Sequence, residues 1–220
     1  FYKMPETFKL SPSSLALMEG CPRCFWLEKH KIWKRPSSGF PTLPSGMDKI
    51  LKTHFDKFMR QGLLPPEIKD HHHTQGLKLF DNESLLAEWR NNKKGISWTD
   101  SQGNILHGAV DNILVKGKKL IVLDYKTRGF QLKEDTADHY QHQIDIYNFL
   151  LQKNSYETEN YAFLLFYIPS HVLETGEFVF DAVLARRDIN IKHAEALFFK
   201  AIKLLNSECP EKGCEWCEKF

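Results

Sequence analysis

The sequence predicts an α/β sandwich, in which helices flank a mixed central β-sheet of four or five strands. Helical patterns occupy the first part of the chain, and three short runs typical of strands follow them. A helical segment then separates these strands from one or two later strands, and this order places helices on the faces of a sheet. The length of 220 residues suits a single domain.

Two short helices and a loop are expected first. Ser11-Pro12 combines a capping residue with proline at the first helical position, and Gly20-Cys21-Pro22 interrupts the helix that follows. Residues 23–30 then form a second helical segment. Residues 33–46 are rich in proline, serine and glycine, which predicts a loop.

An amphipathic helix is predicted from Met47 to Arg60. His54 falls among its apolar residues at helical spacing and is therefore expected to face inward. Spacing alone favours a core histidine that is satisfied by hydrogen bonds. The consecutive histidines His71–His73 lie in a polar segment near prolines, which favours a solvated loop.

A helix, a strand and a hairpin come next. Asp81 is the expected cap of a helix that reaches Lys94, and Ile96–Thr99 has the pattern of a strand. The hairpin that follows is predicted to have one strand over Ile105–Val115, a turn at Lys116-Gly117-Lys118 and a buried strand that begins with Leu120–Leu123.

Three charged residues, Asp111, Asp124 and Lys126, lie at the ends of these two strands. Asp124 and Lys126 are two positions apart, so their side chains leave the same face of the strand. Because unpaired buried charge is unfavourable by several kcal/mol, this pattern indicates a functional site. Two carboxylates that share a hard cation, beside an ammonium group, suit metal-assisted attack on a phosphodiester.

The second half of the chain is expected to complete the sheet. A helix capped by Asp135 or Thr136 is predicted to run to about Lys153, and Tyr161–Ile168 is nearly all apolar, as in a buried strand. The remaining elements are an edge strand over Glu177–Ala185 and a final helix capped by Asp188.

The central motif resembles a known nuclease signature. Gly108-Ala109-Val110-Asp111, followed by Leu123-Asp124-Tyr125-Lys126, is similar to the motif of the PD-(D/E)xK nuclease superfamily. Gln143 and Tyr147 fit the Gln-x-x-x-Tyr motif of its RecB-like branch, and His54 fits the metal-binding histidine of that branch. The branch includes the CRISPR-associated RecB-type exonucleases and the nuclease domain of AddB.

This resemblance implies a restriction-endonuclease-like fold and a metal-dependent deoxyribonuclease, specifically an exonuclease on single-stranded DNA. Members of the branch serve CRISPR spacer acquisition, recombinational DNA repair and phage-borne DNA processing, and all three pathways stay open. Lys126 would position or help to deprotonate the attacking water. Gln143 and Tyr147 would orient Lys126 or a phosphate oxygen. The implied ligands of Mg²⁺ or Mn²⁺ are Asp111, Asp124, the carbonyl of Tyr125 and the ring of His54.

Five cysteines lie near the two ends of the chain, and C-x2-C pairs favour metal ligation over disulfides. The paired spacing selects Cys21, Cys24, Cys214 and Cys217 for a tetrahedral Zn²⁺ or an iron–sulfur cluster. The family pattern would use Cys209 instead of Cys24, and the resemblance implies a [4Fe–4S] cluster. Residues 1–46 and 206–220 would then form a cysteine-ligated appendage. Unligated thiols are the remaining alternative.

The amino-acid composition does not indicate a function by itself, so the functional prediction rests on these motifs. The net charge is only +2, so any basic surface for nucleic acid has to be local. No apolar run approaches the roughly 20 residues that span a bilayer, and no signal-peptide pattern is present, which predicts a cytoplasmic protein without a membrane partner. Two other functions stay open: a non-catalytic nucleic-acid-binding module, and a metal-stapled interaction protein in which Asp-x-Lys has no role.

Overall fold

Two mixed β-sheets form the framework of the protein in the computed structural model, which describes residues 7–36 and 42–218. The larger sheet has the strand order β2-β5-β6-β7-β8. Its strands are β2 (Lys78–Leu79), β5 (Asn112–Lys116), β6 (Lys119–Thr127), β7 (Tyr161–Val172) and β8 (Phe178–Asp188). The smaller sheet has the order β1-β4-β3, formed by β1 (Lys9–Leu10), β3 (Ile96–Thr99) and β4 (Ile105–Gly108). The mixed α/β class predicted from the sequence is confirmed, whereas the second sheet was not predicted.

Helices cover these sheets. The structure contains α1 (Pro12–Gly20), α2 (Pro22–Lys29), α3 (Thr42–Arg60), α4 (Pro66–Lys69), α5 (Glu83–Trp89), α6 (Gln141–Lys153) and α7 (Ile191–Leu205). The helix α6 packs against strands of both sheets and against α1 and α7. Among the described residues, none of the helices is long and apolar enough to cross a membrane.

The centre of the larger sheet is the buried pair β6 and β7. The strands β5 and β6 form an antiparallel hairpin around Gly117, whose positive φ of 60° explains the glycine at this turn. The strands β6 and β7 are parallel, and α6 lies in the connection between them. As predicted, β8 forms the edge of the sheet.

The predicted strand Ile105–Val115 is wrong, because the chain leaves one sheet and enters the other within it. The strand β4 ends at Gly108, the amide of Val110 donates a hydrogen bond to the carbonyl of Trp89 (3.2 Å), and β5 begins at Asn112. Gly108 has to be a glycine, since a Cβ atom there would lie 2.6 Å from the ring of Tyr147. The break places Asp111 directly before β5.

Several predicted helix boundaries are also wrong. The helix α3 begins at Thr42, although residues 33–46 were expected to be a loop; residues 37–41 of that segment lie outside the described residues. Pro44 is compatible with this start because the first turn of a helix does not use its N–H groups. The helix α5 starts after Asn82, whose side chain accepts a hydrogen bond from the amide of Leu85, and it ends at Trp89 rather than Lys94.

The later helices start further along the chain than predicted. Residues Asp138–Tyr140 form a 3-10 turn before α6 begins at Gln141, and the hydroxyl of Thr136 accepts a hydrogen bond from the amide of Lys133 instead of capping a helix. Asp188 ends β8, and Asn190 caps α7. Asn190 is a polar residue close to Asp188, so local composition did not distinguish these two caps, whereas Tyr140 at the start of α6 makes no side-chain capping hydrogen bond.

Candidate active site and cysteine cluster

The structure brings Asp111 next to the strand that carries Asp124 and Lys126. Asn112 pairs with Leu123, so Asp111 lies beside the continuation of β6. Its Oδ2 atom accepts a hydrogen bond from the amide of Tyr125 at 3.0 Å. The backbone of β6 therefore holds the carboxylate of Asp111 at the edge where Asp124 is located.

Lys126 connects the carboxylates to α6. Its ammonium group forms an ion pair with Asp124 and donates a hydrogen bond to Gln143 Oε1 at 2.7 Å. The side-chain amide of Gln143 (Nε2) in turn donates a hydrogen bond to the hydroxyl of Tyr147 at 2.7 Å, because the two side chains are one helical turn apart. The ring of Tyr140 lies 4.6 Å from the same ammonium group. The two motifs that the sequence suggested thus meet at Lys126.

Asp124 is a buried carboxylate with incomplete hydrogen bonding. Only 1% of its surface is exposed, and within the described part of the chain its Oδ2 atom accepts no hydrogen bond, although it lies against Lys126. Burial raises the pKa of Asp124 to about 7; the charge of Lys126 opposes this rise and the charge of Asp111 adds to it. A divalent cation would remove the energetic penalty of this charge, so Asp111 and Asp124 fit a metal such as Mg²⁺ or Mn²⁺.

Lys52 is a second cation at this site, and it was not predicted from the sequence. Its Nζ atom on α3 lies 3.0 Å from Asp111 Oδ1 and 2.8 Å from Asp48 Oδ2. Burial lowers the pKa of Lys52, but the two carboxylates outweigh this effect and raise it above its ordinary value. Only the i, i+4 spacing of Asp48 and Lys52 was visible in the sequence, and such pairs are common on exposed helices.

His54 lies against another carboxylate. Its Nε2 atom is 2.9 Å from Glu67 Oε1 and 3.1 Å from Glu67 Oε2, and Glu67 also accepts a hydrogen bond from Tyr167. Within residues 7–36 and 42–218, His54 belongs to none of the groups of three or more potential ligands whose ligand atoms lie within 4.8 Å of one another. The metal-binding role of His54 therefore stays a prediction.

Tyr125 contributes its backbone to the site and its side chain to the core. The phenol is buried and accepts a hydrogen bond from Asn112 Nδ2 at 2.7 Å. In a strand, the N–H and C=O groups of one residue point to the same edge. Since the amide of Tyr125 faces Asp111, its carbonyl is directed to the same side, where a metal ligand was expected from the family resemblance.

The four cysteines selected by the paired spacing lie together. The Sγ–Sγ distances are 3.8 Å between Cys21 and Cys217, 3.5 Å between Cys24 and Cys214, and 3.9 Å between Cys214 and Cys217. The four sulfur atoms all lie within 4.8 Å of one another. Cys209 lies outside this group, 3.8 Å from the guanidinium of Arg23.

A positive charge and backbone amides surround the sulfur atoms. Arg35 Nη2 donates to Cys214 Sγ at 3.1 Å and to Cys24 Sγ at 3.4 Å, and the amide of Cys24 donates to Cys21 Sγ at 3.5 Å. Burial raises the pKa of Cys24 to about 12, although Arg35 acts against this rise. Hydrogen-bond donors to sulfur, such as Arg35 and the backbone amide of Cys24, are typical of thiolates that bind a metal.

The spacing of the sulfur atoms can be compared with the two expected occupants. Four sulfurs at about 2.3 Å from one tetrahedral ion are separated by about 3.8 Å, which agrees with the distances above. A [4Fe–4S] cluster would place four irons and four sulfides between the thiolates, so the sulfurs would have to move apart. The described arrangement therefore fits a single tetrahedral ion.

Comparison with known proteins identifies the family. A search of curated proteins finds no match. The family model of the PD-(D/E)XK nuclease superfamily matches residues 30–219, a range that includes Asp111, Asp124, Lys126, Gln143 and Tyr147 and starts after Cys24. The chain therefore belongs to the PD-(D/E)XK nuclease superfamily, whose members are phosphodiesterase nucleases that use divalent metals.

Proposed function

We propose that this protein is a Mg²⁺- or Mn²⁺-dependent deoxyribonuclease of the RecB-like branch, which degrades single-stranded DNA from an end. The main support is the contact between the two motifs: the Asp111, Asp124 and Lys126 constellation is joined to Gln143 and Tyr147 through Lys126. A protein that only binds nucleic acid has no need for this complete set of groups. The RecB-like assignment rests on the Gln-x-x-x-Tyr motif.

Asp111 and Asp124 would hold the divalent ion, and the carbonyl of Tyr125 lies on the correct side to contribute. When bound, the ion lowers the pKa of a water molecule and neutralises charge on the phosphate. Lys52 and Lys126 carry the positive charge that balances the two carboxylates in the protein alone. Ion binding at Asp111 would therefore weaken the contact of Lys52, which could then turn to a phosphate oxygen.

Lys126 would orient the attacking water and stabilise negative charge in the transition state. This requires its ammonium group to be fixed, which its contacts with Asp124, Gln143 and the ring of Tyr140 provide. Tyr147 fixes Gln143 from the other side. Gln143 and Tyr147 are thus positioning residues in this proposal.

A cleft lies beside Gln143 and Tyr147. It has a volume of about 300 Å³ and is lined by residues of the α1 start, by His107–Ala109, and by Gln143 and Tyr147. Asp111, Asp124 and Lys126 do not line this cleft, so the expected preference for single-stranded DNA rests on the resemblance to RecB-type exonucleases. Action from an end is implied by the resemblance to RecB-type exonucleases.

We also propose that Cys21, Cys24, Cys214 and Cys217 hold one structural ion, Zn²⁺, and that this ion joins the N-terminal helices to the C-terminal segment. The agreement of the sulfur spacing with a tetrahedral site supports zinc. Elemental analysis of the purified protein distinguishes the occupants, since one zinc per chain without iron or sulfide is expected. Four irons and acid-labile sulfide would establish the [4Fe–4S] cluster implied by the resemblance.

The function is tested with end-labelled nucleic acids and protein that retains its cysteine-bound ion. We expect shortening of linear single-stranded DNA in Mn²⁺ or Mg²⁺, none in calcium or without a divalent ion, and resistance of circular single-stranded DNA. Cleavage of the circle would make the enzyme an endonuclease, and preference for RNA would change the substrate class. Binding of DNA without cleavage under all conditions would favour the non-catalytic module.

A further inference from the structure

A second group of potential metal ligands lies where α1, α6 and α7 meet. Glu19 is near the end of α1, His142 is in the first turn of α6, and His193 is in the first turn of α7. One ligand atom from each of the three side chains lies within 4.8 Å of the other two. The Nε2 atom of His142 is 2.8 Å from Glu19 Oε2, and the two imidazole rings are 4.9 Å apart.

A buried carboxylate stands behind this group. Asp145 is 1% exposed; its Oδ1 atom accepts hydrogen bonds from Gln141 and from the amide of Asn190, both at 2.9 Å. Its Oδ2 atom accepts none from the residues that the structure describes, and it lies 3.5 Å from His193 Nδ1. A carboxylate behind a histidine fixes the tautomer and orientation of the ring and leaves the other nitrogen for a metal.

His142 has an unsatisfied atom of its own. Its Nδ1 atom is buried and has no hydrogen-bond partner in the described part of the chain. Its side chain is 34% exposed overall, and those of Glu19 and His193 are 33% and 38% exposed. An ion from solution can therefore reach the group, while the atoms behind it are shielded from water.

We propose that Glu19, His142 and His193 bind a divalent transition-metal ion, with Asp145 as a positioning residue for His193. Two imidazoles and one carboxylate suit Zn²⁺, Co²⁺ or Ni²⁺, whereas Mg²⁺ prefers oxygen ligands alone. This site differs from the active-site carboxylates and from the cysteine cluster in its residues and in its ligand chemistry. It does not depend on the proposed nuclease function.

The ligands of the proposed ion lie close in the chain to the active site and to the cysteine cluster. His142 precedes Gln143, which contacts Lys126, and Glu19 lies two residues before Cys21. An ion bound here would connect the helix that carries Gln143 to the segment that leads into the cysteine cluster. Because it binds only the folded arrangement of three helices, it stabilises the native protein by mass action.

Calorimetric titration with Zn²⁺ tests the proposal. The parent protein carries Asp124→Asn, which removes an active-site ligand, and its cysteine-bound ion stays in place. We expect one further Zn²⁺ per chain, with binding at least about 100-fold weaker in His142→Gln and in His193→Gln and about 10- to 100-fold weaker in Asp145→Asn. His171→Gln, an exposed histidine elsewhere, is the matched control and leaves the binding unchanged.

Thermal unfolding of the same proteins separates ligand loss from misfolding. The histidine variants should melt at the parent temperature without added Zn²⁺, and only the parent and the His171→Gln control should be stabilised when Zn²⁺ is added. A parent that takes up no further Zn²⁺, or His142→Gln and His193→Gln variants that bind it as tightly as the parent, would overturn the proposal.

Discussion

The aspartate–lysine site and the cysteine cluster gather their side chains in different ways. Strand pairing and the helices α3 and α6 hold Asp111, Asp124 and Lys126, and the opposite charges balance one another through direct contacts. The cysteine cluster instead joins positions that are 190 and 196 residues apart in the chain, such as Cys24 with Cys214 and Cys21 with Cys217. Its C-terminal half is a turn without regular helix or strand.

This difference indicates what each of the two proposed metals would do for the protein. The carboxylate site keeps its geometry through the sheet, so the proposed ion there would be needed for chemistry and not for folding. The thiols depend less on regular secondary structure: the described cysteines form no disulfide, and Arg35 provides a nearby positive charge for them. Loss of the first ion should therefore stop the reaction, and loss of the second should loosen the fold.

The largest effect on stability is expected from the double variant Cys24→Ser, Cys214→Ser. A structural zinc contributes about 10 kcal/mol or more in small zinc domains, so its loss should lower Tm by more than about 10 °C. Calorimetry and zinc analysis measure both effects. Cys209→Ser is the matched control and should keep both the bound ion and the wild-type Tm. A large drop in Tm for Cys209→Ser, with a small drop for the double variant, would support the ligand set in which Cys209 replaces Cys24.

Lys126→Met should chiefly affect the reaction, and thermal unfolding is measured on the same samples because the variant leaves the buried Asp124 without its ion-pair partner. We expect cleavage to fall by about 10³-fold, because the variant loses the ammonium that positions water and stabilises charge. Lys119→Met changes an exposed lysine at the start of the same strand and should cleave normally. Initial rates of cleavage of single-stranded DNA provide the measurement. Equal rates in both variants would show that Lys126 has no catalytic role.

Gln143→Leu should have a smaller effect on the rate. The side chain acts through Lys126, so we expect a loss of about 10- to 100-fold in kcat, with little change in KM. Gln143→Glu retains an acceptor for Lys126 and should recover part of the rate, whereas a purely structural role would not distinguish the two variants. Gln152→Leu, on the same helix and exposed, is the control.

Stability in the absence of added divalent ions should also depend on pH. Because burial raises the pKa of Asp124 to about 7, the native state binds a proton that the unfolded chain has released at its ordinary pKa near 4. The wild type should therefore lose stability relative to Asp124→Asn as pH rises from about 4 to about 7, by at most about 1.4 kcal/mol per unit. Urea unfolding at pH 5 and pH 8 measures this difference, and parallel curves would contradict the raised pKa.

The sequence was most informative where local chemistry decided the outcome. The apolar runs of β6 and β7 predicted the buried strands, and the C-x2-C pairs predicted which four sulfurs lie together, because both depend on neighbouring residues. The motif spacing also predicted that Gln143 and Tyr147 would share one helix face. Their roles in catalysis stay predictions until variants are measured.

The sequence failed where contacts between distant elements decided the outcome. An alternating pattern does not specify which sheet a strand joins, so the change of sheet at residues 109–111 and the smaller sheet were missed. Lys52 was missed because its contact with Asp111 depends on the packing of α3 against the sheet. The pairing of His54 with Glu67 was missed for the same reason.

The most direct test of the central claim compares cleavage and thermal unfolding in the same samples of wild type, Asp124→Asn and the exposed control Asp135→Asn. Single-stranded DNA and Mn²⁺ are the substrate and the ion. We predict that Asp124→Asn cleaves DNA at least about 10³-fold more slowly than the wild type, while its Tm is at least that of the wild type. Asp135→Asn should match the wild type in both measurements. If Asp124→Asn remained folded and cleaved at the wild-type rate, the carboxylate site would not be the active centre.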